Sequence, residues 1–497
     1  MIFFNCKKFC LLLLTLVSAE LSAINLQIKN PEFINDKVYV DISWENSWNY
    51  NDTKPPYNYD AVWVFMKYKN SDGIWGHLCI SSDSTLHYLS YNSMKISTVD
   101  DEMGVFVKRR SGEGTNNFRL GLSFCSTFAQ DIYELQVFGI EMVYIPEEAF
   151  YVGDGESNNH LHKWPAGGPY YVDSELPIEL GEVNNSMQTT GNDLLSGQIG
   201  ENYPKGFNAF YAMKYEINQW QYTDFLNTLT FEQQLSRVSN NPESPKSSSA
   251  YVPDNSFHFR NNIVIKQSGD ENLSKPAVYE VRNNSFPFYD GKHRSANFLS
   301  WYDVLAYLDW SGLRPMTELE FEKICRGPKV PVPLEFAWGT PFHISAIDPI
   351  LDATIYEHVS QTGTITAGIL SHGYDSPQGP LRNGFSSFLA QNRVQAAASY
   401  YGVMEMSGNV WEVAVGLRSD ALQFIGSHGN GILSNTGNTT QSDWPVEKGG
   451  YIYRGGGWNS GVLPGFRDAS VSDRFYDNWN LSGRRNTSGG RGVRSAH

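Results

Sequence analysis

Aromatic, amide and hydroxyl residues gather near the end of the chain: Trp458, Asn459 and Ser460, then Phe475, Tyr476, Trp479, Asn480 and Asn486. Rigid rings give contact area at little entropic cost, and short polar groups give adaptable hydrogen bonds, so this mixture suits a ligand-binding surface. Ser460 has no sequence neighbours that pair a base with an orienting acid, so its hydroxyl is not read as a nucleophile. His160 and His162 stand in a Gly/Asn-rich stretch, where two histidines are expected to be solvated rather than metal-bound. Arg393, Arg467 and Arg474 suit either an acidic ligand or internal ion pairs, and both readings stay open at this level. The chain has no Cys-x-x-Cys and no zinc-type cysteine set.

The elements that must position these residues fall into two regions. Residues 24–138 alternate apolar and polar side chains in short runs such as Val38 to Trp44, Ala61 to Tyr68 and Phe118 to Phe124. Asn, Asp, Ser and Gly break those runs, which predicts an all-β sandwich. This region shows no cluster of acid, base and nucleophile and reads as a packing or spacer module. Residues 139–497 mix strands with a few helices. Asn218 caps one helix, a second starts near Ser300 and turns Leu305, Leu308 and Trp310 inward, and Thr317 with Glu320 forms a capping box for a third. Between them, residues 231–296 are polar and rich in Asn, Ser and Pro, and read as a surface insertion holding one hairpin near residues 257–266.

Three motifs in order carry a family resemblance: YGVMEMSGNVWE from Tyr401 to Glu412, YRGGGW from Tyr453 to Trp458, and GRGVR from Gly490 to Arg494. With the strand entry at Ile140 to Pro146 and the run from Arg314 to Glu320, they resemble the sulfatase-modifying-factor family, known for the formylglycine-generating enzymes. The resemblance covers residues 140–497 and implies an α+β fold of C-type-lectin type with much irregular structure. It also implies calcium held by Glu405, Gly408, Val410 and Glu412, through side-chain and backbone oxygens that suit a hard cation. Glu405 stands where the family often has Asn or Asp. Enzymes of the family hold copper with two cysteines. The corresponding positions here are Ser460 and Gly465, and no cysteine follows Cys325. Hydroxyl and glycine cannot replace the soft thiolates that Cu(I) needs, so no copper is expected. The end of the chain also looks like the variable proteins of diversity-generating retroelements.

Composition limits the rest. The 497 residues carry a formal charge of −15, which argues against a nucleic-acid partner. Residues 451–497 hold seven Arg and three Asp, a local +4 that would favour an acidic partner. Lys7 and Lys8 precede an apolar run from Phe9 to Val17 and small residues that permit cleavage after Ala19 or Ala23, an export signal rather than a membrane anchor. A secreted, periplasmic or cell-surface protein is expected. Cys79 and Cys125 could pair in such a compartment, and Cys325 fits a packed helix face. The reading is a non-catalytic protein that binds a protein or glycan. A sulfatase-modifying oxidoreductase with a non-standard site and a structural envelope component are the alternatives.

Overall fold

Burial in β2 (Lys37–Asn49) alternates along the strand, with Val38, Val40, Ile42 and Trp44 inward, so its inner face belongs to a core and its outer face to solvent. The computed structural model describes residues 26–34, 37–125, 132–192, 194–253, 256, 258–282, 291–373, 376–461, 467–474 and 483–496. β1 (Gln27–Ile34) and β2 pair antiparallel, and β2 pairs on its other side with the long strand β8 (Gly112–Ser123), which also holds β5 (Tyr88–Leu89). Phe118, Leu120 and Leu122 of β8 complete the inward face of this sheet. The facing sheet contains β3 (Asp60–Lys69), β4 (Trp75–Leu78), β6 (Met94–Thr98), β7 (Val105–Arg109) and β9 (Glu134–Ile145). β3 is buried over its first eight residues, as expected of a central strand covered on both faces. Cys79 and Cys125 form a disulfide, and Cys325 is free and buried.

β9 carries this sheet onward. One edge pairs with β3 from Asp60–Val143 to Lys69–Glu134, and the other pairs with the strand Phe210–Met213. That strand pairs in turn with Gly492–Ser495, which holds Arg314–Pro315. The expected boundary between the two regions, at 138/139, therefore falls inside one continuous strand. The end of the chain is stitched into the same sheet, and Arg494 forms a two-oxygen ion pair with Asp101 of the first region.

Four α-helices occur among the described residues: α1 (Gln219–Asn227), α2 (Phe231–Arg237), α3 (Trp301–Ser311) and α4 (Glu318–Arg326). Each starts with a capping box, formed by Asn218 with Gln221, Thr230 with Gln233, Ser300 with Asp303, and Thr317 with Glu320. Side chain and backbone thus satisfy each other's orphan donors at every helix start, a contribution of about 1 kcal/mol per cap. The insertion differs from its sequence reading. It contains α2, its hairpin is Ile263–Gln267 with Val278–Val281, and Tyr251 and Val252 are buried rather than exposed. Its polar composition reflects many turns, whose Asn and Ser side chains bond to backbone.

A buried charge network locks α4 to the rest. Glu318 accepts from Arg454 at 3.1 Å and Arg474 at 2.8 Å. Glu322 accepts from Arg454 at 2.7 Å, Arg326 at 2.9 Å, Ser472 at 2.9 Å and the Gly153 amide at 2.8 Å. Arg326 also pairs with Glu335.

Candidate functional site

The Gly455–Gly457 run is required by geometry before it serves any site. Gly456 has a φ of 72°, and a Cβ there would lie 3.0 Å from Ala469. A Cβ on Gly457 would sit 2.9 Å from the Trp411 ring and 3.2 Å from the Thr487 carbonyl. Only glycine lets the backbone pass so close to both. The chain then turns at Ser460, whose amide donates to the Gly457 carbonyl at 2.9 Å while its Oγ accepts from the Gly457 amide at 2.8 Å.

This turn forms one wall of a cleft of about 480 Å³, faced by Arg484 to Thr487 and floored by Trp411, Phe259 and Phe298. Of the residues singled out in sequence, Asn459, Ser460 and Asn486 line it together. Trp458 does not. It is 2% exposed, stacks on Phe259 at 5.6 Å and donates its indole N–H to the Asn486 carbonyl at 2.9 Å. Trp458 supports the cleft from beneath and cannot touch a partner. Phe475, Tyr476, Trp479 and Asn480, like Gly465, lie outside the described residues. Phe259, Phe298, Trp411, Asp468 and Thr487 were missed as lining residues. The two phenylalanines come from distant parts of the chain, with no local signal in the sequence.

The arginines resolve toward the interior. Arg484 holds Asp303 at 2.7 and 2.8 Å, Arg491 bonds Glu412, and Arg454, Arg474 and Arg494 have the carboxylate partners described above. Arg467 donates to the Pro341 carbonyl at 3.2 Å and Arg393 to the Ala398 carbonyl at 3.0 Å. Five of the seven cations in residues 451–497 are therefore neutralised inside the fold, which removes most of the +4 as a steering charge. His160 and His162 are likewise buried rather than solvated, with His160 Nδ1 at 2.7 Å from the Ser157 carbonyl.

Directly behind the cleft lies the turn from Glu405 to Glu412, joined to it by the Trp458 amide, which donates to the Asn409 carbonyl at 2.8 Å. Glu405 has a φ of 55° and accepts from the Gly384 amide at 2.8 Å through Oε1, while its Oε2 has no partner. Burial, only partly countered by that amide and by Arg491 and Arg382, pushes its carboxyl up to about 8. Glu412 accepts from Arg491 Nε at 2.7 Å through Oε1, and its Oε2 is also unpartnered. Gly408 takes a φ of 85° and donates its amide to the Gly455 carbonyl at 2.7 Å. The Val410 amide donates to Glu216 at 3.1 Å. Glu216 is a third buried carboxylate, unnoticed in sequence, that also accepts from Asn409 Nδ2 at 2.6 Å. Two unpartnered carboxylate oxygens in a dry turn are hard donors of the kind calcium takes. Among the described residues, the one group of three or more potential ligands within bonding reach of each other is Cys79, Glu102 and Cys125, whose sulfurs are in the disulfide. Calcium would thus need backbone carbonyls beside Glu405 and Glu412.

The family model of the sulfatase-modifying factor enzyme 1-like domain matches residues 168–496. Among solved structures, the chain is similar to Treponema denticola variable protein 1, with 13% identity over 72% of this chain and 96% of that one and a TM-score of 0.28. No curated protein matches the chain. No helix among the described residues is long and apolar enough to cross a membrane.

Proposed function

This chain belongs to the sulfatase-modifying factor enzyme 1-like family, and we propose that it uses that scaffold to bind a ligand rather than to oxidise one. The observation that carries this reading is the state of Ser460. It stands where the family's enzymes have a copper thiol, and its hydroxyl is buried and engaged with the Gly457 amide. The other thiol position is Gly465, so neither position offers a soft ligand. What the cleft does offer is amide, hydroxyl and aromatic lining on a floor fixed by Trp458 and the Glu405–Glu412 turn.

The ligand is a protein or glycan, and the surface is the cleft with Phe475, Tyr476, Trp479 and Asn480 beside it in sequence. Because five of the seven arginines in residues 451–497 are paired with carboxylates of the fold, contact area from rings and hydrogen bonds would supply most of the affinity in place of charge. Glu405, Gly408, Val410 and Glu412 would hold a calcium ion that stiffens the turn beneath. The lectin-like architecture and the kinship with retroelement variable proteins belong to the same reading. So does export, which the Cys79–Cys125 disulfide supports, since such bonds persist in oxidising compartments.

The test is a pair of variants, Tyr476→Ala and Trp479→Ala, assayed against whatever protein or glycan an array identifies with the wild type. Each is expected to lower affinity by about 2 kcal/mol, as truncated hot-spot rings do, without moving the thermal midpoint. If both variants unfold the domain, the rings are core and the binding surface lies elsewhere.

A further inference from the structure

A second and larger cleft, about 850 Å³, lies away from the C-terminal one and is built by both regions of the chain. The β3–β4 hairpin supplies Lys69 and Trp75, β9 supplies Glu134, α1 supplies Trp220 and Asp224, and Tyr279 comes from the insertion hairpin. Its volume is in the range of small-molecule and glycan sites, about 300–1,000 Å³.

Its charges cancel locally. Lys69 pairs with Glu134 at 3.5 Å and lies 5.6 Å from the Trp75 ring, Lys266 pairs with Glu280 at 3.9 Å, and Lys292 sits 4.0 Å over the Trp220 ring. With Asp72 and Asp224 included, three lysines face four acidic groups, so the cleft is close to neutral and gives an ionic ligand little net attraction. It does present two half-buried indoles and a row of short polar groups. In its wall the Asp224 carboxyl faces the Trp220 indole N–H, an interaction that ties the ring to α1. Burial holds the Asp224 carboxyl well above its ordinary range, with Lys292 and the Trp220 indole N–H pulling it back.

We propose that this cleft binds a neutral oligosaccharide, with Trp75 and Trp220 stacking on sugar faces and Asp224 taking part in hydrogen bonding to ring hydroxyls. A sugar ring is the neutral ligand whose two sides match this lining. Its C–H faces pack on indole, and its hydroxyl edges both donate and accept. The first region would then be part of a binding site, not only a spacer. The inference stands apart from the reading of the C-terminal cleft, because no lining residue is shared.

The test titrates the full chain with maltotriose, cellotriose, chitotriose and mannotriose by saturation-transfer NMR, for the wild type, Trp75→Ala, Asp224→Asn and Tyr476→Ala. The expected result is saturable binding of at least one sugar, weakened about tenfold or more by Trp75→Ala and by Asp224→Asn and unchanged by Tyr476→Ala. Should Trp75→Ala fail to fold, Asp224→Asn keeps the shape and carries the comparison alone. Binding of none of the four, binding that survives the variants, or capture of a random peptide pool in their place would each overturn the proposal.

Discussion

Two buried clusters of glutamate and arginine, one containing Arg454 of the Tyr451–Arg454 strand and the other its register partner Glu412, are built to different rules. Around α4, three carboxylates (Glu318, Glu322, Glu335) meet three guanidinium groups (Arg326, Arg454, Arg474), and every oxygen of Glu318 and Glu322 accepts a hydrogen bond. Burial pushes Glu322 up, but Arg326 and Arg454 override it and hold the carboxyl below its ordinary range. Behind the cleft lie Glu216, Glu405 and Glu412, of which only Glu412 bonds a guanidinium, that of Arg491, and one oxygen each of Glu405 and Glu412 is left over. There burial dominates and all three carboxyls are pushed up. The first cluster leaves no oxygen of Glu318 or Glu322 without a donor, although Arg454 Nε has no acceptor and burial raises Glu335. The second leaves one oxygen each of Glu405 and Glu412 without a partner, and that is where the proposed calcium would sit.

The comparison can be broken most forcefully at the first cluster. Arg454→Met would leave Glu318 and Glu322 each short of a partner in a dry interior, and should cost about 3–5 kcal/mol in a denaturant titration. A loss below about 1 kcal/mol would show that the network relaxes and is not what locks α4.

A third charged site sharpens the rule through pH. Burial raises Glu357, but Arg294 and Arg260 together bring its carboxyl down to about 2. A depressed carboxyl stabilises the fold fully above its unfolded value near 4.5, and that stability is lost as pH falls from there toward 2. The contribution is on the order of 3 kcal/mol. The thermal midpoint should fall across that window, and Glu357→Gln should start lower and show a flatter acid limb. An unchanged acid limb in the variant would assign the loss to other carboxylates.

At the second cluster, calcium at about a hundred times its Kd should add roughly 2.7 kcal/mol, read as a rise in thermal midpoint over chelator. Glu405→Gln should remove that rise while leaving the Glu412–Arg491 pair intact. A wild-type midpoint that ignores calcium would mean the leftover oxygens are merely buried. At the cleft rim the effect shrinks further. Asn459→Ala should shift stability by no more than about 0.5 kcal/mol, because its side chain faces the opening and not the core.

Much of the frame was legible in the sequence, since capping boxes, strand alternation and the glycine run are local signals. Thr317 with Glu320 could be read directly because the box spans three positions. The continuity of β9 could not, because a composition change at 138/139 says nothing about which strands pair on either side. The fate of the arginines was equally hidden. Arg474 meets Glu318 across a long stretch of chain, and a run of positive charge looks the same whether it faces solvent or carboxylates. Residue type alone points Trp458 to the surface, and only its stacking on Phe259, brought in from the insertion, shows that it lies beneath the cleft floor.

The central claim is that this family scaffold has kept its cleft and dropped its oxidation chemistry. The direct measurement incubates the purified chain with a cysteine-containing sulfatase peptide, with copper and with chelator, and follows the peptide mass. The account predicts an unchanged cysteine under both conditions, because Ser460 and Gly465 supply no thiolate. A copper-dependent conversion of that cysteine to the aldehyde would contradict it.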